Sequence, residues 1–162
     1  MALSSDIAAT YRGPGKVIAR LLGYGIREDR ALAMLMGGCF VMFIAQWPRL
    51  ARDAHFSGGS VGEVIGGEFA TMIFVLPLLF YLLAFAAHGL MRLLKGQGDS
   101  YNARLALFWS FLAVSPLILL QGLVAGFIGP GLQLELVKLL CWLVFLWFGF
   151  SGLRKAYWGA QG

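Results

Sequence analysis

Four long apolar blocks, separated by short polar stretches, dominate the pattern of hydrophobic and polar positions along this chain. A helix that rises 1.5 Å per residue needs about 20 residues to cross a hydrocarbon core of about 30 Å, and each block is close to that length. The pattern therefore predicts an all-α integral membrane protein, in which a bundle over residues 31–153 contains four transmembrane helices at about 31–47, 66–91, 103–128 and 132–153.

The first block, ALAMLMGGCFVMFIAQW, is the shortest, and a secretory signal also contains a short apolar core. Thirty residues precede this block, which is far longer than the usual first region of a signal, and Trp47-Pro48-Arg49 follows where a small-residue cleavage site would stand. We therefore predict that the block is retained as a membrane helix. Tilting or local thinning of the bilayer absorbs its shorter length.

The positive charges flanking the blocks predict the orientation of the chain. Ten fall on one side of a four-span arrangement: Arg12, Lys16, Arg20, Arg27, Arg30, Arg92, Lys95, Arg104, Arg154 and Lys155. Three fall on the other side: Arg49, Arg52 and Lys138. Because loops rich in Lys and Arg stay in the cytoplasm, both termini are predicted to be cytoplasmic, including a short tail over residues 154–162.

Residues 1–30 form a different kind of segment, a basic arm ahead of the first block. Apolar residues recur at helical spacing after Gly13-Pro14-Gly15, and Lys16 and Arg20 lie one turn apart, away from that apolar stripe. This pattern predicts an N-terminal amphipathic interfacial helix, with Arg12, Lys16 and Arg20 facing the anionic lipids of the inner leaflet. The alternative is a helix packed on the loops of the protein.

Composition narrows the possible functions. The chain is 59% hydrophobic and only 13% charged, so too little polar sequence remains to cover the surface of a water-soluble fold. The net charge is +5, but the Lys and Arg residues lie between the apolar blocks and do not form a basic stripe with interleaved aromatics. This distribution argues against nucleic-acid binding. Cys39 and Cys141 lie inside apolar blocks, with no metal-ligand spacing or disulfide framework. No catalytic motif or phosphate-binding loop is present, so we predict a non-enzymatic protein with no cofactor, metal or catalytic residue.

Glycine pairs within the blocks predict close helix packing. Gly122 and Gly126 form a GxxxG pattern late in the third block, and Gly37-Gly38 gives the first block a second small surface. Small residues let two membrane helices approach until their backbones are in contact. The packing partner is either another helix of the same bundle or a second copy of the chain.

Two prolines, Pro77 and Pro116, fall near the middle of the second and third predicted helices. Each removes one backbone hydrogen bond and is expected to kink its helix, and Ser115 can satisfy a freed carbonyl. One interpretation is a broken-helix binding site of the transporter type, and the other is a pair of kinked helices that simply pack together.

The candidate polar residues within the spans are Glu68, His88, Ser115 and Gln121. Glu68 and His88 are separated by 20 positions on one predicted helix, or about 30 Å of rise, so they cannot form a proton relay with each other. They are expected near opposite membrane interfaces, where water and headgroups solvate them.

Three stretches give the chain a resemblance to a known family: TYRGPGKVIARLL, REDRALAMLMGGCFVMFIAQWPRLAR and YNARLALFWSFLAVSPLILLQGLVAGFIGPG. Over about residues 6–153 the chain resembles the compact bacterial members of the Yip domain family, polytopic proteins named for interaction with Ypt/Rab small GTPases. The eukaryotic members carry Tyr-Gly-Pro where this chain has Tyr11-Arg12-Gly13-Pro14, and they usually have five spans and a longer arm. The resemblance implies the bacterial inner membrane and a role in membrane organisation through protein partners.

Three functions are therefore open from the sequence. The first is a membrane adaptor or membrane-organising protein that acts through helix–helix and lipid contacts, with a membrane-protein partner or self-association. The second is an accessory subunit of a larger membrane complex, with one lateral face covered by its partner. The third is a small transporter or channel component, which predicts a cavity at mid-depth lined by Ser110, Ser115, Thr71 or Gln121.

Overall fold

The computed structural model describes residues 3–58 and 60–159, and all the regular elements within these residues are helices. Their bounds are α1 Leu3–Arg12, α2 Pro14–Leu22, α3 Glu28–Ser57, α4 Val61–Ala70, a π-helical segment Thr71–Val75, α5 Leu76–Leu93, α6 Ser100–Ala113, α7 Ser115–Phe127 and α8 Leu132–Trp158.

Three helical stretches in these residues are long and apolar enough to cross a membrane, namely Glu28–Ser57, Ile65–Leu93 and Leu132–Trp158. The pair α6 and α7 makes a fourth if it is one bent span. The prediction of an all-helical protein with several membrane-length helices is confirmed at this level. The first helix differs from its predicted bounds, because it continues ten residues beyond Trp47 and carries Pro48 in its interior.

Helix α6 lies at the centre of the bundle. Its side chains from Leu105 to Ala113 are all buried, and Phe108, Trp109 and Ser110 are almost completely inaccessible. It packs against α3, α5, α8 and the arm, so the helices around it share one apolar core. Helix α5 lies at the periphery and leaves side chains such as Leu78, Leu82 and Phe85 exposed.

The glycines of the GxxxG pattern bring α7 against α3 of the same chain. A Cβ atom added to Gly122 would lie 1.9 Å from the carbonyl oxygen of Ala45, and one added to Gly126 would lie 2.2 Å from Cβ of Pro48. These separations mean that the two backbones touch, as small residues permit. The structure therefore places this glycine surface inside the bundle and not between copies of the chain.

Gly37 and Gly38 of α3 face α6. A Cβ atom on Gly38 would lie 2.5 Å from the ring of Phe111, whereas one on Gly37 would make an ordinary contact of 3.6 Å with Leu112. Gly38 is therefore required for the packing of the Phe111 ring, and Gly37 is less constrained.

Two helix breaks lie beside the two prolines. The π-helical segment ends at Val75, two residues before Pro77, and the Leu76 N–H bonds five residues back to the carbonyl of Thr71. Helices α6 and α7 meet at Val114 with a bend of 44°, just before Pro116. A proline has no N–H and its ring crowds the preceding turn, so a wider turn or a bend at these positions has a direct physical cause.

The arm folds as two short helices, α1 and α2, separated at Gly13, and packs on α6 and α8. Val17, Ile18 and Leu21 are buried there, and Gly152 of α8 leaves the space that Ile18 occupies, since an added Cβ would lie 2.2 Å from it. The apolar stripe of the arm therefore contacts protein. The arm packs on helices of the bundle and not on its loops, while the prediction that Arg12, Lys16 and Arg20 face anionic lipid stays a prediction.

Candidate functional site

The bundle has two distinct ends. The arm end comprises α1, α2, the loop 94–99 and the last turns of α8. The far end comprises the last turns of α3, the start of α4 and the turn 128–131 between α7 and α8. Each end carries its own cluster of charged side chains, and these clusters are the candidate sites.

At the arm end, a groove of about 410 Å³ runs between α1 and α2. Its charged lining consists of Arg12 at the end of α1 and of Lys16 and Arg20 on α2. The break at Gly13 turns the chain back, so the last residue of α1 comes beside the first turns of α2. The three basic residues singled out from the sequence are thus brought together around one open groove.

The charge of this groove is only partly balanced within the protein. Arg20 pairs with Asp6 of α1 at 2.6 Å, which also ties the two helices of the arm together. Arg12 and Lys16 are exposed, and neither has an ion-pair partner within the described part of the chain. Two cationic heads therefore remain available for an anion in water or at a membrane surface.

The arm is fixed to the bundle by a buried polar contact. The indole Nε1 of Trp109 donates a hydrogen bond of 3.0 Å to the Thr10 hydroxyl, which itself donates to the Asp6 carbonyl at 2.8 Å. The Tyr11 ring packs edge-on against Phe148 of α8, with ring centroids 5.0 Å apart. These contacts hold the end of α1 in place, so the position of Arg12 is set by the core.

The hydroxyl of Tyr11 is buried and has no hydrogen-bond partner among the described residues. Burial raises the pKa of this phenol, because the phenolate would lose its hydration. The side chain contributes to the packing of the arm through its ring alone.

His88 takes part in a hydrogen-bonded chain at the arm end. Its Nδ1 bonds the hydroxyl of Tyr157 on α8, and that hydroxyl lies 3.1 Å from the carbonyl oxygen of Asp99, to which it donates. A phenol has one hydrogen to donate, so the hydrogen shared with His88 must come from Nδ1 of the imidazole. His88 therefore connects α5 to α8, which is a structural role.

Glu68 lies at the far end, on α4, where it forms an ion pair of 2.8 Å with Arg49 of α3. Arg49 also donates from Nε to the side-chain oxygen of Gln46 at 3.0 Å. The sequence analysis singled out Glu68 but not its partner. Arg49 could have been identified as a candidate, because it is one of only three Lys and Arg residues on that side of the predicted membrane.

The two other far-end cations are also engaged by the protein. Arg52 donates to the carbonyls of Gly126 and Phe127 at 3.2 and 3.4 Å, which caps the end of α7. Lys138 pairs with Glu135 one turn earlier on α8 at 2.9 Å.

The four polar residues predicted to line a mid-depth cavity have different environments in the structure. Ser110 is fully buried and donates to the carbonyl of Ala106, Ser115 is buried, and Thr71 donates to the carbonyl of Gly67. Gln121 lines two adjoining cavities, one toward the far end between α3, α4, α7 and α8, and one beside the two helix breaks.

Metal-ligating side chains do not cluster in the described part of the chain: no group of three or more His, Cys, Asp or Glu residues could hold an ion there. Cys39 and Cys141 are buried free thiols. No protein-family model matches this chain, and neither a curated protein nor a solved structure matches it.

Proposed function

We propose that this chain is a non-enzymatic, multi-pass protein of a bacterial inner membrane that organises its lipid surroundings, with the groove between α1 and α2 as its contact for anionic headgroups. The observation that carries the proposal is that Arg12, Lys16 and Arg20 line one open groove on an arm whose apolar side is anchored in the bundle. The arm thus presents cations to its surroundings in a fixed position.

The distribution of charge supports a placement with the arm end in the cytoplasm. Arg49, Arg52 and Lys138 at the far end are each held by a carboxylate or carbonyl of the protein. At the arm end, Arg12 and Lys16 are exposed, as are Arg92, Lys95 and Arg154. Cations exposed near the ends of membrane helices favour the cytoplasmic side, where anionic lipids attract them by about 1 kcal/mol per charge.

The anchored arm changes how lipid binding would work. A free amphipathic helix binds by inserting its apolar face among the lipids, whereas here that face already contacts α6 and α8. Binding would therefore rest on charge, and it would depend on salt and on the fraction of anionic lipid. Because the arm is fixed to the bundle, the bound headgroup would be ordered at one place beside the protein.

A membrane-protein partner or a second copy of the chain remains part of this proposal, consistent with the resemblance to the Yip family. The GxxxG surface is occupied by α3, so it is not the surface that contacts a partner or a second copy. The contact surface would be the exposed apolar side of the π-helical segment and α5, with Phe74, Leu78 and Phe85. An accessory-subunit role would use this same side.

The test is lipid retention in reconstituted nanodiscs that contain phosphatidylethanolamine with a minor fraction of phosphatidylglycerol. The protein is released into the gas phase, and the bound lipids are identified by mass. We expect the wild-type chain to retain phosphatidylglycerol preferentially, and the triple variant R12Q/K16Q/R20Q to lose that preference.

The matched control is R92Q/K95Q/R154Q, which removes three exposed cations from the same end of the bundle but not from the groove. The proposal predicts that this control keeps the wild-type preference. Equal loss in both variants would mean that net charge and not the groove attracts the lipid, and the groove would then have no specific role.

A further inference from the structure

Two adjoining cavities lie in the bundle, an upper one at the far end and a lower one nearer the middle. The upper cavity, of about 310 Å³, has a mixed lining, whose polar members are Gln46, Arg49, Glu68, Gln121 and Lys138. The lower cavity, which is nearer the middle of the bundle and has a volume of about 270 Å³, is lined mainly by apolar side chains, including Phe80, Phe111, Cys141, Trp142 and Phe145. Met42, Ile118, Gln121 and Lys138 line both, so the two cavities adjoin each other.

The polar and apolar parts follow each other along the bundle axis. Glu68 of the upper cavity and Phe80 of the lower one are twelve residues apart on the same helical stretch, or about 18 Å of rise. The apolar part therefore reaches toward the middle of the bundle, where Phe80 and Phe111 close it. A phospholipid whose headgroup lies at the far end has this same order, with its chains pointing to the membrane centre.

The space exists because both broken helices border it. Leu76, directly after the π-helical segment, and Val114, at the bend between α6 and α7, both line the lower cavity. One wall has a wider turn and the other has a bend of 44°. Because of these breaks, the two helical stretches do not pack straight against each other, and the cavity stays open. The two prolines thus act on the same cavity.

The upper part has cationic groups that suit a headgroup. Arg49 and Lys138 both line it. Arg49 is paired with Glu68 of the same lining, and Lys138 is paired with Glu135, which lies outside the lining. The half-buried side-chain amide of Gln121 lines the same cavity and has no hydrogen-bond partner among the described residues, so it is open to a ligand there.

We infer that this space binds one phospholipid of the leaflet at the far end. One acyl chain fills the lower cavity, and the phosphodiester lies between Lys138 and Arg49, within reach of the Gln121 amide. The inference rests on the membrane placement proposed above, but it does not depend on the groove of the arm. Because Lys138 is paired with Glu135, a phosphodiester bound there would replace that carboxylate as the partner of the Lys138 ammonium.

The experiment uses the full chain in nanodiscs of a single phospholipid, either phosphatidylethanolamine or phosphatidylglycerol. After stripping in detergent, the fraction of protein that still carries one phospholipid is measured by native mass spectrometry. We expect K138Q to reduce this fraction about tenfold, the effect of losing one charge-assisted contact. We expect I118F, which places a ring where the two cavities join, to reduce it similarly.

E135Q is the matched control, because Glu135 pairs with Lys138 but does not line either cavity. It should keep or increase the retained lipid, since it releases the Lys138 ammonium. The melting temperature of each variant in detergent shows whether it is folded. Retention that K138Q and I118F leave unchanged would overturn the inference, as would loss in E135Q alone.

The headgroup groove of the arm and the phospholipid cavity can be disproved independently of each other. R12Q/K16Q/R20Q should leave the single retained phospholipid in place while abolishing the preference for anionic lipid, and K138Q should do the reverse. If R12Q/K16Q/R20Q removes the retained lipid and K138Q does not, the ordered lipid lies in the groove of the arm, and the cavity is not its site.

Discussion

The indole nitrogen of Trp109 donates a hydrogen bond of 3.0 Å to the hydroxyl of Thr10, which lies 99 positions earlier in the chain. Trp109 belongs to the most buried helix of the bundle, and Thr10 is the fully buried residue of α1. This bond makes the arm part of the core and fixes where its cations lie.

Thr10→Val should loosen the arm, because it keeps the size of the side chain but leaves the Trp109 N–H buried without an acceptor. The expected loss is about 1–3 kcal/mol, the cost of an unpaired buried donor. Hydrogen exchange of the α1 amides measures it, and Thr10→Ser, which keeps the acceptor, is the control. Equal protection of α1 in the two variants would show that the bond does not hold the arm.

Two tyrosines should respond oppositely to loss of the hydroxyl. Tyr11→Phe removes a buried hydroxyl that has no partner in the described part of the chain, so stability should stay the same or rise. Tyr157→Phe breaks the connection from His88 to the Asp99 carbonyl and should cost about 1–3 kcal/mol. Thermal unfolding in one detergent compares them, and a larger loss for Tyr11→Phe would contradict this assignment.

The close approach of α3 and α7 predicts that Gly122→Ala destabilises the fold by at least about 2 kcal/mol, since the new methyl group would overlap the Ala45 carbonyl. Gly89→Ala on α5 is the control, because an added Cβ there has no atom within 4 Å, and its effect should stay within about 1 kcal/mol. A folded Gly122→Ala chain that melts like wild type but changes its oligomeric mass would mean that the glycines face a second copy.

Three serine-to-cysteine variants test the proposed topology. Ser4 and Ser100 are exposed at the arm end, and Ser57 is exposed at the far end. In spheroplasts, a membrane-impermeant maleimide should label Ser57→Cys at once, and the other two only after permeabilisation. Cys39 and Cys141 are buried, so the wild-type chain gives the background. Labelling of Ser4→Cys and Ser57→Cys from the same side would rule out this topology.

The membrane-length helices could be predicted from the sequence because length and apolar character are local properties. Their exact ends could not. Helix α3 continues to Ser57 through a stretch with Arg49 and Arg52, which looks like a loop until Glu68 and the end of α7 are seen to hold those charges. Ion pairs between distant positions leave no local pattern.

The basic residues of the arm were visible in the sequence, but the surface beneath them was not. An amphipathic helix has the same periodicity whether its apolar side meets lipid or protein. The decisive feature is Gly152, which makes room for Ile18 on a helix more than 130 positions away. The glycine pair in α7 had the same ambiguity, and Ala45 and Pro48 of α3 resolve it.

The most direct test of a lipid-organising role is extraction of the chain from cells at its native level, in a polymer that keeps the surrounding lipid, followed by mass determination of everything that accompanies it. We expect the chain to be enriched in anionic lipid, whether it comes alone, with copies of itself or with a membrane-protein partner, and we expect the enrichment to be lost in R12Q/K16Q/R20Q and kept in R92Q/K95Q/R154Q. Enrichment that R12Q/K16Q/R20Q leaves unchanged would contradict the lipid-organising role, and a stoichiometric complex with a different protein would then make the chain an accessory subunit.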